Sequence, residues 1–439
     1  MTHTKHQIRS MATEAEPGLK TVLVAGGSYA GHEAVRILSE TLPETHKIVL
    51  LERNSHFNHV YVFPRYSVVD GHTHKAFIPY TNIFGSSLEG SRHDLVQGTL
   101  LNINPPAQTS RDGESGIATF MQNNEEKSLP FDYLVYALGS YRPGSIDLWK
   151  SAYSGNKVDG IENVTEIRKS VEAAKNIVIV GSGPLGIEFA ADIADHYTGA
   201  EAKNVTLLSS SVKLLPKLKD EVHERTYEWL SQHGVNVLLG ERLAEQSQDA
   251  NGDINVKTNK GNTIQADLVL DCTGLKANTA PLKPILGDNW LDQTPAWTND
   301  KLQLLNVSPD EDPNKIRSFD KIYIAGDAGH AFGAHKNGAN AREQAGIASR
   351  NICRQIAITQ QQSTNPESSS WAKKFLAENG EQPDVYKPGP ISIKVSLGLK
   401  DAISQGAYGV AYRKGEGRPD MNVEKHWIKR GLSLDEMHL

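Results

Sequence analysis

An α/β protein with two Rossmann-like, three-layer dinucleotide-binding domains and a small C-terminal α+β domain is what this 439-residue sequence predicts. Three observations predict it. An apolar strand, a glycine-rich turn and a helical pattern follow one another in VLVAGGSYAGHEAV, residues 22–35. The same order returns about 155 residues later, from Asn176 to Glu188, and such self-similarity is more informative than either copy alone. Further apolar strands run into glycine or Gly-Asp at Tyr133–Leu138, Leu268–Cys272 and Lys321–Ala325.

The first unit reads as a strand Lys20–Ala25, a helix Gly31–Thr41 and a second strand Lys47–Leu51 ending at Glu52. Its loop, Gly26-Gly27-Ser28-Tyr29-Ala30-Gly31, departs from G-x-G-x-x-G at the middle glycine, where Ser28 stands. Taken alone, the loop is either a tight turn or a phosphate cradle. The strand before it, the helix after it and Glu52 favour the cradle, because a strand-end carboxylate accepts hydrogen bonds from ribose hydroxyls. A solvated strand-end acid is the bland reading of Glu52 by itself.

The second unit is a strand Asn176–Val180, the loop Gly181-Ser182-Gly183-Pro184-Leu185-Gly186, a helix Ile187–His196 and a strand Val205–Leu208. All three motif glycines are kept here. A helix N-terminus behind such a loop offers free N–H groups and partial positive charge to a pyrophosphate. Glu188 stands one turn into the helix, either facing the nicotinamide end of a bound cofactor or serving as an ordinary first-turn acid. The strand ends in Ser209-Ser210-Ser211 where an NAD-selective site usually carries a carboxylate. With Lys213 nearby, these hydroxyls suit a 2′-phosphate, so NADPH is allowed beside NADH. Gly326-Asp327 closes the pattern, with the aspartate placed for a ribose or ribityl hydroxyl.

Composition narrows the function classes. A formal net charge of −6 speaks against nucleic acid as the main partner. Two cysteines, Cys272 and Cys353, form neither a disulfide framework nor a C-x-x-C pair. No run of eighteen apolar residues occurs, so no transmembrane helix is expected. Residues 1–19 read as a disordered leader rather than a secretory signal. The expected domains are 20–155 with 277–358, then 156–276, then 371–439. Polar hairpins are expected at 105–128 and 241–264, turning at Asp112-Gly113 and Asn251-Gly252. Residues 359–370 read as a linker or exposed loop, 391–398 as an alternating strand and 421–439 as a terminal helix. His72 and His74 lack a third ligand in sequence, so no metal site is expected.

In this order the pieces resemble the two-dinucleotide-domain flavoprotein reductases of the glutathione-reductase type. The resemblance rests on the Glu52 loop, YLVYALGS (133–140), GSGPLGIE (181–188), LVLDCTG (268–274) and IYIAGD (322–327), and spans about residues 20–355. GGSYAG, SHFNHVYVFPR (55–65) and LLP (214–216) are most similar to the AIF/AMID/FSP1-like branch, its fungal members in particular.

The resemblance implies FAD on the first unit and NADH or NADPH on the second, with hydride passing to the flavin. By position it implies Gly26, Gly27, Ser28, Ala30 and Gly31 at the FAD pyrophosphate, Glu52 at the ribose and Arg53 beside the adenine. Ala137 and Gly139 would pass the adenosine half, and Asp327 would hold the ribityl-phosphate end. Gly181, Gly183, Pro184, Leu185, Gly186, Ser209, Lys213 and Gly274 would line the NAD(P)H site. Arg65 falls where a basic side chain lies near the flavin ring, and His330 and His335 where a proton donor could approach it.

Related disulfide reductases carry C-x4-C after the first unit and related peroxidases a single redox cysteine; neither is present before Cys272, so both cysteines read as packing residues. ARE-QAG (341–346) partly matches the quinone-site pattern of type II NADH dehydrogenases. The implied activity is NAD(P)H oxidation through FAD to a quinone-like acceptor or oxygen. A fungal tailoring oxidase acting on a biosynthetic intermediate and a redox-responsive cell-death effector stay open as alternatives. The expected setting is cytoplasmic, as a monomer or homodimer, with peripheral membrane or mitochondrial association left open.

Overall fold

The computed structural model describes residues 18–85, 88–106, 115–142, 154–249, 252–287, 293–306 and 316–438. These fall into two compact units. One comprises residues up to 57, 79–141 and 276–389; the other comprises 58–78, 142–275 and 390 onward. Most of the leader and the Asp112-Gly113 turn lie outside the described residues, as does Asn251.

In the first unit the central sheet has the strand order Gln303–Leu305, Ser318–Ile324, Tyr133–Tyr136, Lys20–Ala25, His46–Glu52, Asp94–Gln97. All neighbours pair in parallel except the first two strands. Val22 through Ala25 are fully buried because the sheet is covered on both faces, which is why these strands read as unbroken apolar runs. Leu23 and Ala25 share a core with Leu134, Ile322 and the antiparallel layer residues Ile103, Ala118, Phe120 and Phe131. The helices Tyr29–Thr41 and Gly338–Gln360 pack together and against strands of the sheet. The result is the predicted three-layer arrangement.

The antiparallel layer joins two hairpins: Thr99–Asn104 pairs with Gly116–Gln122 on either side of the segment that holds Asp112-Gly113, and a second turn follows. Gly116–Gln122 pairs with Glu125–Phe131 across Asn123-Asn124, both left-handed at φ 52° and 63°. Two consecutive positive φ values match the right-handed strand twist, and asparagine tolerates them. Residues 359–370, expected as a linker or exposed loop, hold such a loop only at 361–365, between two helix ends. One helix runs to Gln360, and the next, Pro366–Asn379, is capped by Asn365, whose side chain accepts from the Glu367 and Ser368 N–H groups. A capping asparagine before proline is a helix start that low complexity conceals.

In the second unit a parallel sheet has the order Asn236–Leu239, Asn204–Ser209, Asn176–Val180, Leu268–Asp271. Ile177, Ile179 and Leu207 pack with the helix residues Ile187, Phe189 and Ala190, and Val395, Leu397 and Ile403 join the same core. Val178, Val180 and Leu208 face Val256 and Ala266 of the antiparallel strands Ile254–Thr258 and Thr263–Ala266. The alternating strand is present as Ile393–Leu397, the edge of a meander with Asp401–Gly406 and Gly409–Arg413. The expected terminal helix is instead a short helix, Glu424–Ile428, and a 3-10 turn, Leu434–His438. Gly431 at φ 69° interrupts it.

Candidate functional site: two glycine cradles

The two glycine loops have the same backbone form. Gly26 and Gly181 sit at φ 95° and 112°, in the region L side chains rarely adopt. A Cβ on Gly26 would stand 2.5 Å from the Ala137 carbonyl oxygen, and one on Gly181 2.9 Å from Thr273 Cγ2. A Cβ on Gly31 would overlap the Gly26 carbonyl oxygen, as one on Gly186 would overlap that of Gly181. These contacts draw each helix onto its strand and leave a cradle open at the helix N-terminus.

Ser28 is the N-cap of its helix, at φ −74° and ψ −152°. Gly183 is the N-cap of the matching helix, at φ −74° and ψ 178°. Neither position needs glycine's conformational range, so serine is accommodated without strain. The Ser28 side chain makes no capping bond, and nothing stands within 4 Å of a Cβ on Gly183. Pro184 then occupies the first helical turn, where its missing N–H costs no bond.

Glu52 is buried at the end of its strand. One carboxylate oxygen accepts the Gly27 N–H at 2.5 Å, and the other accepts the Asn54 N–H and side-chain amide at 2.8 and 2.7 Å. Burial pushes this carboxyl above its usual range, while those bonds favour its ionised form. It therefore ties the loop to the strand end. Ala137 is buried against that loop, and Gly139, at φ 64°, accepts the Asn278 N–H at 2.9 Å. Arg53 accepts Gln97 Nε2 through its carbonyl at 3.1 Å.

Asp327 follows Gly326, which turns at φ 81°. Its carboxylate accepts Ser140 Oγ at 2.8 Å and its carbonyl accepts Lys336 Nζ at 2.7 Å. Gly326 N–H donates to Gln344 Oε1 at 2.8 Å, from a side chain that is itself buried. Gly326, Asp327, His335, Lys336 and Asn337 line one concavity. Asn337 caps the long helix that begins at Gly338. His330 stacks on Trp297, with ring centroids 3.9 Å apart. Gln344 and Lys336 were not legible as loop supports, because both reach the turn only through the folded packing.

The second strand end uses its side chains internally. Ser209 is buried, and its hydroxyl lies 2.6 Å from that of Ser182. Lys213 pairs with Asp220 at 2.7 Å. Ser209 and Lys213, expected at a 2′-phosphate, are thus engaged with the protein. Gly274, at φ 72°, has open space around its α-carbon, and Leu185 packs partly buried against the core.

The helix Pro184–His196 turns three acids to one side at i, i+4 and i+7. Arg65, expected beside the flavin ring, is instead enclosed there. Its Nε and Nη2 bind both oxygens of buried Asp192 at 2.8 Å, and Nη2 also donates to the Gly398 carbonyl at 2.6 Å. Nη1 reaches the Leu399 and Arg418 carbonyls at 3.4 and 3.3 Å. Asp195 accepts the Leu399 N–H at 2.7 Å. Arg65 is therefore a clamp on the segment after Leu397, and the proline turn at Phe63-Pro64 points it inward.

Glu188 accepts both the N–H and the hydroxyl of Ser396 at 3.1 Å. Burial raises its carboxyl to about 7, and the Asp192 charge adds to this. The folded state thus binds this proton more tightly than the unfolded chain. Its burden on stability is absent below the ordinary carboxylate range, grows from there to about pH 7 and is complete above it. Glu188→Gln is expected to melt like the parent near pH 4 and several degrees higher at pH 8; matched melting curves across that range check this.

Residues 20–345 match the model of the pyridine nucleotide-disulphide oxidoreductases. The chain belongs to that family. The enzyme is a FAD-dependent NAD(P)H oxidoreductase. It is 35% identical to Fe-regulated protein 8 of Mycosarcoma maydis over 430 residues, which cover 95% of this chain and 96% of that protein. It is 27% identical to ferroptosis suppressor protein 1 of Xenopus tropicalis, over 94% and 96% of the two chains. The solved structure of NDH2 from Plasmodium falciparum in complex with NADH superposes with a TM-score of 0.64 at 13% identity, covering 95% and 96%. That likeness is one of fold. AIF-like membership is supported by these relatives and by apoptosis-inducing factor homolog B of Dictyostelium discoideum.

Among the described residues of the oxidoreductase no helix is long and apolar enough to cross a membrane. Nor does any group of three or more His, Cys, Asp or Glu among them suit a metal ion.

Proposed function

We propose that FAD binds the Gly26–Gly31 cradle and NAD(P)H the Gly181–Gly186 cradle, and that electrons leave to a quinone-like acceptor without a thiol relay. The fit of a dinucleotide to each cradle rests on the same feature: the positions that would close it carry no side chain. Glu52, Gly139 and Asp327 would hold the sugar and phosphate portions of FAD. The chemistry that FAD supplies when bound is acceptance of a hydride and its release as electrons. The chain's own part is positioning. Helix N-termini offer N–H groups to each pyrophosphate, and Gln344 and Lys336 fix the Gly326-Asp327 turn.

The observation that carries the acceptor reading concerns the cysteines. Both are buried and free, and burial pushes the Cys272 thiol to about 12 and the Cys353 thiol to about 11. Thiols protonated and shielded in this way do not attack a disulfide, since the thiolate is the nucleophile. A low-molecular-weight acceptor reduced directly at the flavin replaces them, and a quinone satisfies that requirement. His330, His335 and Glu188 are proposed as proton-handling groups of this reaction, Glu188 because its carboxyl changes state near neutrality.

An acceptor screen tests this. Cys272→Ala and Cys353→Ala are expected to keep NAD(P)H:quinone turnover within about twofold, small apolar replacements being tolerated at buried cysteines. Loss of turnover in either folded variant, or turnover with disulfides but not with quinones, overturns the reading.

A further inference from the structure

We infer that the dinucleotide site of the second unit selects NADPH through Lys260, a residue remote in sequence from the strand end that ordinarily decides this. The inference rests on the placement of NAD(P)H at the Gly181–Gly186 loop and deepens it. The strand Asn204–Ser209 ends in three serines, so no carboxylate stands there to repel a 2′-phosphate or to accept the 2′-hydroxyl of NADH. Ser209 points inward to Ser182 and Ser211 Oγ accepts the Lys213 N–H at 3.3 Å, leaving the exposed Ser210 as the hydroxyl toward solvent.

A second segment is folded onto this corner. Gly240 donates its N–H to the Ser211 carbonyl at 2.9 Å and turns at φ 69°. Lys260 Nζ lies 3.7 Å from where a Gly240 Cβ would stand. Lys260 is carried by the tight turn between Ile254–Thr258 and Thr263–Ala266. That turn is fastened to the chain after Gly240 by a reciprocal pair: Arg242 N–H to Asn259 Oδ1 at 2.9 Å, and Asn259 N–H to the Arg242 carbonyl at 3.0 Å. Those bonds hold the turn, and with it Lys260, beside the Gly240 backbone that meets Ser211, while the flexible stem lets the ammonium move onto a bound anion.

The acids around the corner are already engaged. Asp220 pairs with Lys213, and Glu241 accepts the Asn262 side-chain amide at 2.8 Å. The Asn262 bond, more than the charge of Lys260, holds the Glu241 carboxyl below its ordinary range. Glu241 stays ionised and feels the charge of Lys260, but no ion pair joins the two among the described residues, and a doubly charged phosphate attracts an ammonium far more strongly than a hydroxyl does.

The test uses the holoprotein and two probes, adenosine 2′,5′-bisphosphate and 5′-AMP, with affinities measured by calorimetry. The parent is expected to bind the bisphosphate about tenfold tighter or more, the effect of one charge-assisted contact. Lys260→Glu and Lys260→Ala should bring the ratio toward one while 5′-AMP affinity is kept, and Lys260→Arg should restore it. Added salt should narrow the parent's ratio. A parent ratio of one or below, or a ratio unchanged in Lys260→Glu and Lys260→Ala, overturns the inference while leaving the NAD(P)H site standing. A parent that binds neither probe refutes the placement of NAD(P)H on this loop.

Discussion

Gly31→Val yields a protein that loses its flavin on gel filtration and needs about a hundredfold more added FAD to regain it, whereas Ser28→Gly keeps its flavin: this is the expected result with the largest effect. A side chain at Gly31 meets the Gly26 carbonyl oxygen, part of a backbone already held by the Leu51 carbonyl and by Glu52 through Gly27. No flexible neighbour can yield, so helix and strand must separate and the cradle opens. A penalty of about 3 kcal/mol, the upper part of the overpacking range, weakens binding about a hundredfold. Ser28 has an ordinary negative φ, and its side chain makes no capping bond. Flavin absorbance per protein after gel filtration reads both variants. Gly186→Val is the control, since it carries the matching clash in the other cradle and should remain yellow.

The second large effect is expected at Arg65. Arg65→Leu leaves Asp192 buried without its bidentate partner and strips hydrogen bonds from the Gly398, Leu399 and Arg418 carbonyls. Breaking one side of a buried ion pair costs about 3–5 kcal/mol. Removing both sides costs less, because no uncompensated charge remains inside. Arg65→Leu should therefore lower the unfolding midpoint sharply, and Arg65→Leu with Asp192→Leu should recover a good part of that loss. Lysine at position 65 rescues little, for an ammonium cannot reproduce the forked contact or reach three carbonyls at once. Denaturation followed by tryptophan emission reports these differences through buried Trp229 and Trp427. Equal losses in the single and double variants would contradict the clamp.

The fold was legible wherever a physical requirement leaves a residue-level trace. Strands covered on both faces must be wholly apolar there, and VLVA and IVIV show it. A strand-to-helix turn with close backbone contact needs glycine, and Gly26, Gly31, Gly181 and Gly186 show that. Ser28 shows the converse: the middle motif position has an ordinary backbone angle, so its departure from glycine carried less weight than the pattern suggested.

What escaped was set by packing between distant segments. Nothing near Arg65 in the chain announces Asp192, 127 positions away, or the Gly398 carbonyl. Lys260 likewise reaches the Ser209–Ser211 corner only because Asn259 and Arg242 join two turns. The helix start at Asn365-Pro366 could have been found from its capping signature, which the surrounding glutamines and serines masked. Asn123-Asn124 is a second readable hairpin turn, one connection after the Asp112-Gly113 segment.

Anaerobic titration of the purified holoprotein with NADH and with NADPH tests the central claim most directly. The account predicts that at least one of them bleaches the flavin absorbance with a stoichiometry of about one per protein, as a single bound FAD requires, and that Gly186→Val, still yellow, is not bleached at the same nucleotide concentration. A parent flavin that neither nucleotide reduces, or a Gly186→Val protein reduced as readily as the parent, would contradict it.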